Sequence, residues 1–406
     1  MIGQGPVPHK LPSPRIFFPA LALVGLMLLT ACGSSDSEEP QKTARTGGSP
    51  CQVNVQTGPW DLFSEFCAAT DAGQPPTREQ LRAFPELPMV VAWREVMTSR
   101  VPAVRIVNWL EFTFSPDDLE GKNKATRDRA AFSRSYTYSM EHRQEIQSRL
   151  DSFLAEGVAC KVRDEAAYWL DPEQRPDRLE IVFLPSKPEL RIAEDRLFVD
   201  TGVLQAGRSE QLVRQLTGLL FRTKGFLDGP IATGLEGEAA VAHSLRTMMN
   251  EGILGYIEQL PYTQFHPDHP TLGDLAIVPE KVFAKGREAI DLLDTNIPRL
   301  AVDSRAMQEH GKNLAATLVA SGSLKQGGYG MATCIVANLG RDRLRETVGS
   351  PAAFLKTYQE AANMNPSPVP DPYSVPDALP SSMAPLDEAV LTALIRICDA
   401  AFEESP

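Results

Sequence analysis

The chain has 406 residues, more than one domain usually contains, with 43% hydrophobic and 23% charged residues and a mean hydropathy of −0.19. This composition excludes a wholly disordered chain and a protein with many membrane spans. The net charge of −12 argues against a nucleic-acid partner, because binding to phosphates requires clustered basic charge.

The N-terminus predicts an export signal. Lys10 and Arg15 precede an uncharged apolar run, residues 16–31. This run is shorter than the roughly 20 residues of a membrane-spanning helix and fits the apolar region of a secretory signal. It ends in the segment LTACG, residues 29–33, which resembles the bacterial lipobox.

The lipobox resemblance implies that Cys32 is lipidated and becomes the new N-terminus. The protein would then be a membrane-anchored lipoprotein of the cell envelope, on the outer membrane or the periplasmic face. Residues 33–50 are small and polar, which is typical of a flexible tether. The alternative is an uncleaved N-terminal anchor.

Five cysteines follow the lipobox: Cys51, Cys67, Cys160, Cys334 and Cys398. Cys51 and Cys67 flank one short segment, so we expect a local disulfide between them in an exported protein. Cys334 and Cys398 lie in apolar helical patterns and either pair or remain buried. The odd number leaves at least one free thiol unless two chains are linked.

The first part of the folded body, residues 51–160, has a predominantly helical pattern. Thr77 and Gln80 are spaced as in a capping box at a helix start. Apolar residues at helical spacing follow in residues 90–96. Residues 130–156 predict one or two long amphipathic helices.

Three short segments after this region predict β-strands. Residues 179–184 have the length and β-branched content of a strand, and residues 190–192 and 197–200 are two further strands. The last strand ends in Asp200. Together these segments predict a small sheet, for which a meander is the suggested arrangement.

The remainder is again helical. We expect a helix over residues 209–224 that ends at Gly225, and a helix over 236–258 that is interrupted at Gly252 and Gly255. Further predicted helices cover residues 279–293, 304–321, 329–338 and 351–363. The predicted segments are a signal peptide (1–31), a tether (32–50), an N-terminal helical region (51–160), a central region (161–363), a proline-rich linker (364–385) and a C-terminal helix (386–406).

The order of elements resembles that of gluzincin-type zinc peptidases. Two strands are followed by a helix over 209–224 and then by the segment NEGILGYIE, residues 250–258. In such enzymes the first helix carries H-E-x-x-H, whose histidines bind zinc and whose glutamate activates the bound water, and a later helix supplies a third ligand. The resemblance implies a predominantly α-helical α+β fold of zincin type, with a small β-sheet and flanking helices.

A narrower resemblance covers residues 77–363. Over this range the chain is similar to an uncharacterised bacterial family described as zinc-dependent peptidases. The similarity includes QGGYGMA at residues 326–332 and the run from LGR at 339–341 to Tyr358. By resemblance to zincins, Tyr329 would be an oxyanion donor, and the alternative is an aromatic side chain that packs at a helix start.

The chain departs from the family at the metal motif, where the sequence is RQLTG, residues 214–218. Arg214 stands at the first histidine, Gln215 at the general base and Gly218 at the second histidine. A guanidinium has no lone pair for a metal, glutamine does not accept a proton at neutral pH, and glycine has no side chain. Only Glu251, at the position of the third ligand, is retained. We therefore expect no metal, no cofactor and no catalytic residue.

A salt bridge can replace the lost metal. If the first ligand position and Glu251 both face the former metal site, the guanidinium of Arg214 can pair with the carboxylate of Glu251. The alternative is that Arg214 lies solvated on the polar face of an amphipathic helix.

Three classes of function follow. The leading one is a lipid-anchored envelope protein with a degenerate zinc-peptidase-like fold, which binds a peptide or protein partner or acts as a scaffold. The second is a metal-dependent hydrolase with other ligands, namely His243, Glu251 and the loop of His266 and His269. The third is a purely structural envelope protein without an open cleft beside Gly218.

Overall fold

The computed structural model describes residues 53–97, 101–114, 131–186, 190–193, 195–206, 209–226, 235–258, 279–364 and 383–402. All of them lie in one compact unit, residues 44–406. Most of the described residues are helical, and four strands form one sheet. The predicted class, α+β with a predominance of helix, is confirmed. Cys32 and the predicted signal and tether lie outside the described residues.

The first part of the body contains a short strand and eight helices: β1 (Asn54–Gln56), α1 (Gly58–Asp71), α2 (Arg78–Leu81), α3 (Ala83–Glu86), α4 (Pro88–Val96), α5 (Ala103–Phe114), α6 (Ala131–Glu141), α7 (Arg143–Ala155) and α8 (Val158–Trp169). The capping box at α2 is confirmed. The backbone N–H of Gln80 donates to the hydroxyl of Thr77 at 3.3 Å, and the Gln80 side chain accepts from the Thr77 N–H at 2.8 Å. The sequence analysis did not identify β1, because three residues give no clear alternation.

The remaining strands are β2 (Glu180–Leu184), β3 (Leu190–Ala193) and β4 (Arg196–Asp200). The sheet order is β1-β2-β4-β3. β2 is parallel to β1 and to β4, and β3 runs antiparallel to β4. The suggested meander is therefore wrong, since β4 lies between β2 and β3.

The burial of the strands agrees with this order. Four of the five residues in β2 and in β4 are buried, as in central strands that are covered on both faces. Every residue of β3 is only half-buried, which is typical of an edge strand.

The second half contains α9 (Thr201–Ala206), α10 (Ser209–Leu220), a π-helical turn (Phe221–Phe226), α11 (Gly237–Glu258), α12 (Pro279–Ala301), α13 (Ser304–Ala320), α14 (Ser323–Leu339), α15 (Arg341–Arg345), α16 (Pro351–Asn363) and α17 (Glu388–Phe402). Two expectations were wrong. Gly225 lies inside the π-helical turn rather than ending the helix, and α11 continues unbroken through Gly252 and Gly255. Both glycines lie where α14 approaches α11 closely, and the absence of a side chain makes room for α14.

The core is continuous from α1 to α17. Cys67 lies on the inward face of α1, is fully buried and is a free thiol, so the expected pairing of Cys51 with Cys67 is wrong. Burial raises the pKa of the Cys67 thiol to about 12. Cys334 and Cys398 are also buried free thiols, so of the two alternatives for them the buried one holds. Cys160 is disulfide-bonded.

The end of the proline-rich segment packs on the folded body. Met383 and Leu386 are buried, and the Tyr358 hydroxyl donates to the Ala384 carbonyl oxygen at 2.5 Å. Gln359 exchanges two hydrogen bonds with the Leu386 backbone. Within the ranges described, no helix has both the length and the apolar character needed to cross a membrane.

Candidate functional site

Two glutamates of α11 and an arginine of the π-helical turn form a charged cluster. Glu251 and Glu258 lie seven residues apart, about two turns, and so share one face of α11. The guanidinium of Arg222 lies between them, with one nitrogen 4.0 Å from Glu251 Oε1 and the other 4.0 Å from Glu258 Oε1. One cation therefore faces both carboxylates.

Lys325 of α14 is the fourth member of this cluster. Its ammonium lies 3.8 Å from Glu251 Oε2, the oxygen that does not face Arg222. The two oxygens of Glu251 thus face one cation each. We call Arg222, Glu251, Glu258 and Lys325 the four-charge cluster.

Glycines allow α14 to approach α11 so closely that Lys325 reaches Glu251. A Cβ on Gly252 would overlap the backbone of Gly328, and a Cβ on Gly328 would overlap the Met248 carbonyl oxygen. The backbones of α11 and α14 therefore meet at a distance that only glycine permits. Lys325 is one turn before Gly328 and so lies beside α11.

A third glycine, on α10, makes room for Glu258. A Cβ on Gly218 would overlap Glu258 Cγ and would lie 2.9 Å from Glu258 Oε1. The Glu258 side chain thus fills the space that a side chain at position 218 would take. In the resemblance to zinc peptidases, this is the position of the second histidine.

The two cations of the four-charge cluster are more exposed than its two carboxylates. The side chains of Arg222 and Lys325 are 41% and 46% exposed, whereas those of Glu251 and Glu258 are 19% and 14% exposed. Burial raises the pKa of Glu258, Glu251 acts in the same direction, and Arg222 and Lys325 act against it. Perturbed carboxyl groups of this kind are concentrated at functional sites.

The π-helical turn connects this cluster to the sheet. Lys224, two residues after Arg222, forms an ion pair of 2.7 Å with Asp195 at the start of β4. Within this one turn, Arg222 therefore pairs with α11 and Lys224 pairs with the residue that precedes β4. π-Helical turns occur frequently at functional sites.

Tyr329 lies on α14 beside this cluster and is buried. A Cβ on Gly255 would come within 3.0 Å of its ring, so the ring lies flush against α11. The packing alternative is confirmed in part: the ring packs on α11, but Tyr329 lies inside α14 and not at a helix start, because this helix begins at Ser323 and not at residue 329 as expected. Its role as an oxyanion donor stays a prediction.

The structure places the other predicted residues as follows. Arg214 and Gln215 are half-buried on α10, and the pair of Arg214 with Glu251 stays a prediction. His243 packs edge-on against Phe402, with the ring centres 5.7 Å apart, and it precedes Glu251 by eight residues, about 12 Å along the helix. His266 and His269 lie outside the described residues.

Sequence reasoning missed Arg222, Glu258 and Lys325. Two of them had a signal in the pattern. Glu258 follows Glu251 by seven residues and Arg222 follows Arg214 by eight, so each shares a helix face with a residue already identified. Lys325 had none, because its position depends on the close approach of α14 to α11.

A second buried ionisable group lies at the end of β4. Asp200 is 1% exposed and accepts hydrogen bonds from the Ser186 N–H at 2.6 Å, the Ser186 hydroxyl at 3.2 Å and the Gly202 N–H at 2.9 Å. Burial raises the pKa of Asp200 to about 7, although these donors lower it. Its contacts tie the end of β2 to the start of α9.

Comparison with known proteins gives one match. The family model described as "Putative zinc dependent peptidase (DUF5700)" matches residues 224–367, about a third of the chain. It covers Glu251, Glu258 and Lys325 and confirms the predicted family resemblance for that part. The match begins after residues 214–218, so the degenerate metal motif stays a prediction. No curated protein and no solved structure matches the chain.

The described residues do not fit a zinc ion at the four-charge cluster. Protein zinc sites use three or four histidine, cysteine or carboxylate ligands. Within the described ranges, no group of three His, Cys, Asp or Glu residues is placed to hold a metal ion. The cations of Arg222 and Lys325, 4.0 and 3.8 Å from Glu251, would also repel a second positive charge.

Proposed function

We propose that this protein is a lipid-anchored envelope protein with a zinc-peptidase-like fold that binds a peptide or protein partner without hydrolysing it. The observation that carries the proposal is the environment of Glu251. Arg222 and Lys325 face its two oxygens, and Glu258 fills the space beside Gly218. Two protein cations thus face the carboxylate that the resemblance assigns to zinc.

The sheet supports a peptide as the partner. Among the described residues β3 pairs only with β4, and it lies against α10, the helix of Arg214 and Gly218. An edge strand offers unpaired backbone groups to which an extended peptide can add. The partner would then lie near the helix that the resemblance assigns to the metal motif.

The first test is a double-mutant cycle on Arg222 and Glu251. We expect Arg222→Ala and Glu251→Ala to show a coupling of about 0.5–1 kcal/mol in the free energy of unfolding, because the pair is partly exposed. The matched control is the same cycle with Arg214→Ala, measured by urea denaturation. Coupling of Arg214 without coupling of Arg222 would contradict the assignment of Arg222 as the substitute cation.

The anchor is tested separately at Cys32. In a bacterial host, we expect the full chain to fractionate with membranes and to gain the mass of acyl chains at its N-terminus. Cys32→Ala should abolish both results, since stable anchoring needs more than one acyl chain. Membrane association that persists in Cys32→Ala would favour the uncleaved anchor.

A metal-dependent hydrolase is the second candidate, and the description of the matched family favours it. Its ligands would include Glu251 and the histidines at 266 and 269. This second candidate requires that the purified protein contain bound metal and that Glu251→Ala remove the metal.

A further inference from the structure

The cations of the four-charge cluster have unused hydrogen-bond donors. The contacts of Arg222 and Lys325 with the two glutamates measure 3.8–4.0 Å, beyond the 2.7–3.2 Å typical of an N–H···O hydrogen bond. Within the part of the chain that the structure describes, these three contacts are the ion pairs of the two side chains. The guanidinium and the ammonium therefore retain donors for an added acceptor.

These donors face outward. Arg222 and Lys325 are more than 40% exposed, whereas the glutamates beneath them are less than 20% exposed. A molecule that approaches from solvent meets the two cations first. Although the whole chain has a net charge of −12, the outer layer of this cluster is positive.

The pair of cations already faces one carboxylate of the protein. The two oxygens of Glu251 already face Arg222 and Lys325 from the protein side. On the solvent side, where both cations are more than 40% exposed, the same two side chains can meet a second carboxylate. Arginine in particular presents a planar set of donors that matches carboxylate oxygens.

We propose that Arg222 and Lys325 together bind a carboxylate of the partner, most directly the terminal carboxylate of a peptide. This inference rests on the proposed function, since it assigns the chemistry by which the non-catalytic site holds its partner. The carboxylate lies across the two cations and accepts hydrogen bonds from both.

Charge balance links this binding to the protonation of Glu258. The groups that face Glu258 are Arg222 from the π-helical turn, Lys325 from α14 and Glu251 from α11, while α10 contributes the uncharged Gly218. With Glu258 ionised, two cations balance two carboxylates. With Glu258 neutral, one positive charge is left for the partner. Because burial raises the pKa of Glu258, binding strengthens as the pH falls through that pKa.

The experiment is calorimetric titration of the full chain in neutral detergent with N-acetyl-trialanine and with its C-terminal amide. We expect saturable binding of the free acid and at least about tenfold weaker binding of the amide, because charged hydrogen bonds are lost. Arg222→Ala and Lys325→Ala should each weaken binding of the acid to a similar extent. A third probe, an amidated peptide with one glutamate, distinguishes a side-chain carboxylate from a terminal one.

Two controls complete the design. Arg305→Ala removes an exposed arginine that pairs with Glu309 on α13 and should leave the affinity unchanged. Glu258→Gln should tighten binding at pH 8 and remove the rise in affinity that the wild type shows as the pH falls. Equal binding of acid and amide, or an affinity that is insensitive to Arg222→Ala, would overturn the inference.

Zinc analysis of the same preparation separates the two proposals. Absence of zinc together with absence of carboxylate binding refutes this inference and leaves the non-catalytic function standing. Bound zinc refutes the non-catalytic function. Carboxylate binding that disappears on chelation of that zinc also refutes the assignment to Arg222 and Lys325.

Discussion

Asp200 shows how a single buried residue can make stability depend on pH. Its carboxyl group has a pKa of about 7 in the folded protein, above the ordinary value of 3.8. A group whose pKa is raised on folding contributes stability below its unfolded pKa and loses that contribution as the pH rises through its folded pKa. The loss therefore falls between about pH 4 and pH 7.

We expect the free energy of unfolding of the wild type, relative to Asp200→Asn, to fall between pH 4 and pH 8 by on the order of a few kcal/mol. The asparagine variant has nearly the same shape and does not titrate, so the comparison isolates this group from the other carboxylates. Guanidinium denaturation at both pH values gives the result. A difference that is constant with pH would contradict the raised pKa.

The four-charge cluster illustrates what the sequence can predict for single residues. Glu251 was identified from its position after the predicted metal motif, and the structure places it at the centre of the cluster. The cations that face it were not identified. Helical periodicity relates Arg222 to Arg214, but it does not show which glutamate that helix face meets, because this depends on how neighbouring helices cross.

Among the helices, the crossing of α11 and α14 decides the geometry of the site. Gly252 and Gly328 allow the two backbones to touch, and Gly255 receives the ring of Tyr329. Considered in the sequence alone, the glycines of α11 predicted an interruption of the helix, because glycine disfavours helix. In the structure they provide close packing, which outweighs the unfavourable propensity.

We expect Gly328→Ala to destabilise the protein by about 1–3 kcal/mol or more, because an added methyl group overlaps the Met248 carbonyl oxygen. The matched control is Gly58→Ala in the first turn of α1, where a Cβ has nothing within 4 Å. Thermal denaturation of both variants provides the measurement. Equal stability of the two variants would show that α11 and α14 can separate without loss.

Elements with strong local signals were predictable. The capping box at Thr77, the amphipathic helices and the three strands that end at Asp200 all follow from spacing and residue type. The order of the strands in the sheet was not predictable, because the pairing of β2 with β4 depends on contacts between segments and not on their order along the chain. Likewise, the inward orientation of Cys67 on α1 excluded the disulfide that sequence proximity suggested.

In the molecule as a whole, the part that resembles the matched family contains a carboxylate that faces two cations of the protein. The family match covers residues 224–367 and includes Glu251. The described residues around that carboxylate provide positive charge from Arg222 and Lys325 instead of further ligands. These contacts are the basis of the proposed non-catalytic binding role.

The proposed function is tested most directly by the zinc content of the full chain, purified in detergent without a histidine tag and analysed by mass spectrometry for metals. We expect no stoichiometric zinc and no rise in melting temperature on addition of zinc, because a ligand that binds only the folded state would raise the melting temperature. Near one zinc per chain, lost on Glu251→Ala, would contradict the proposed non-catalytic function and favour the metal-dependent hydrolase.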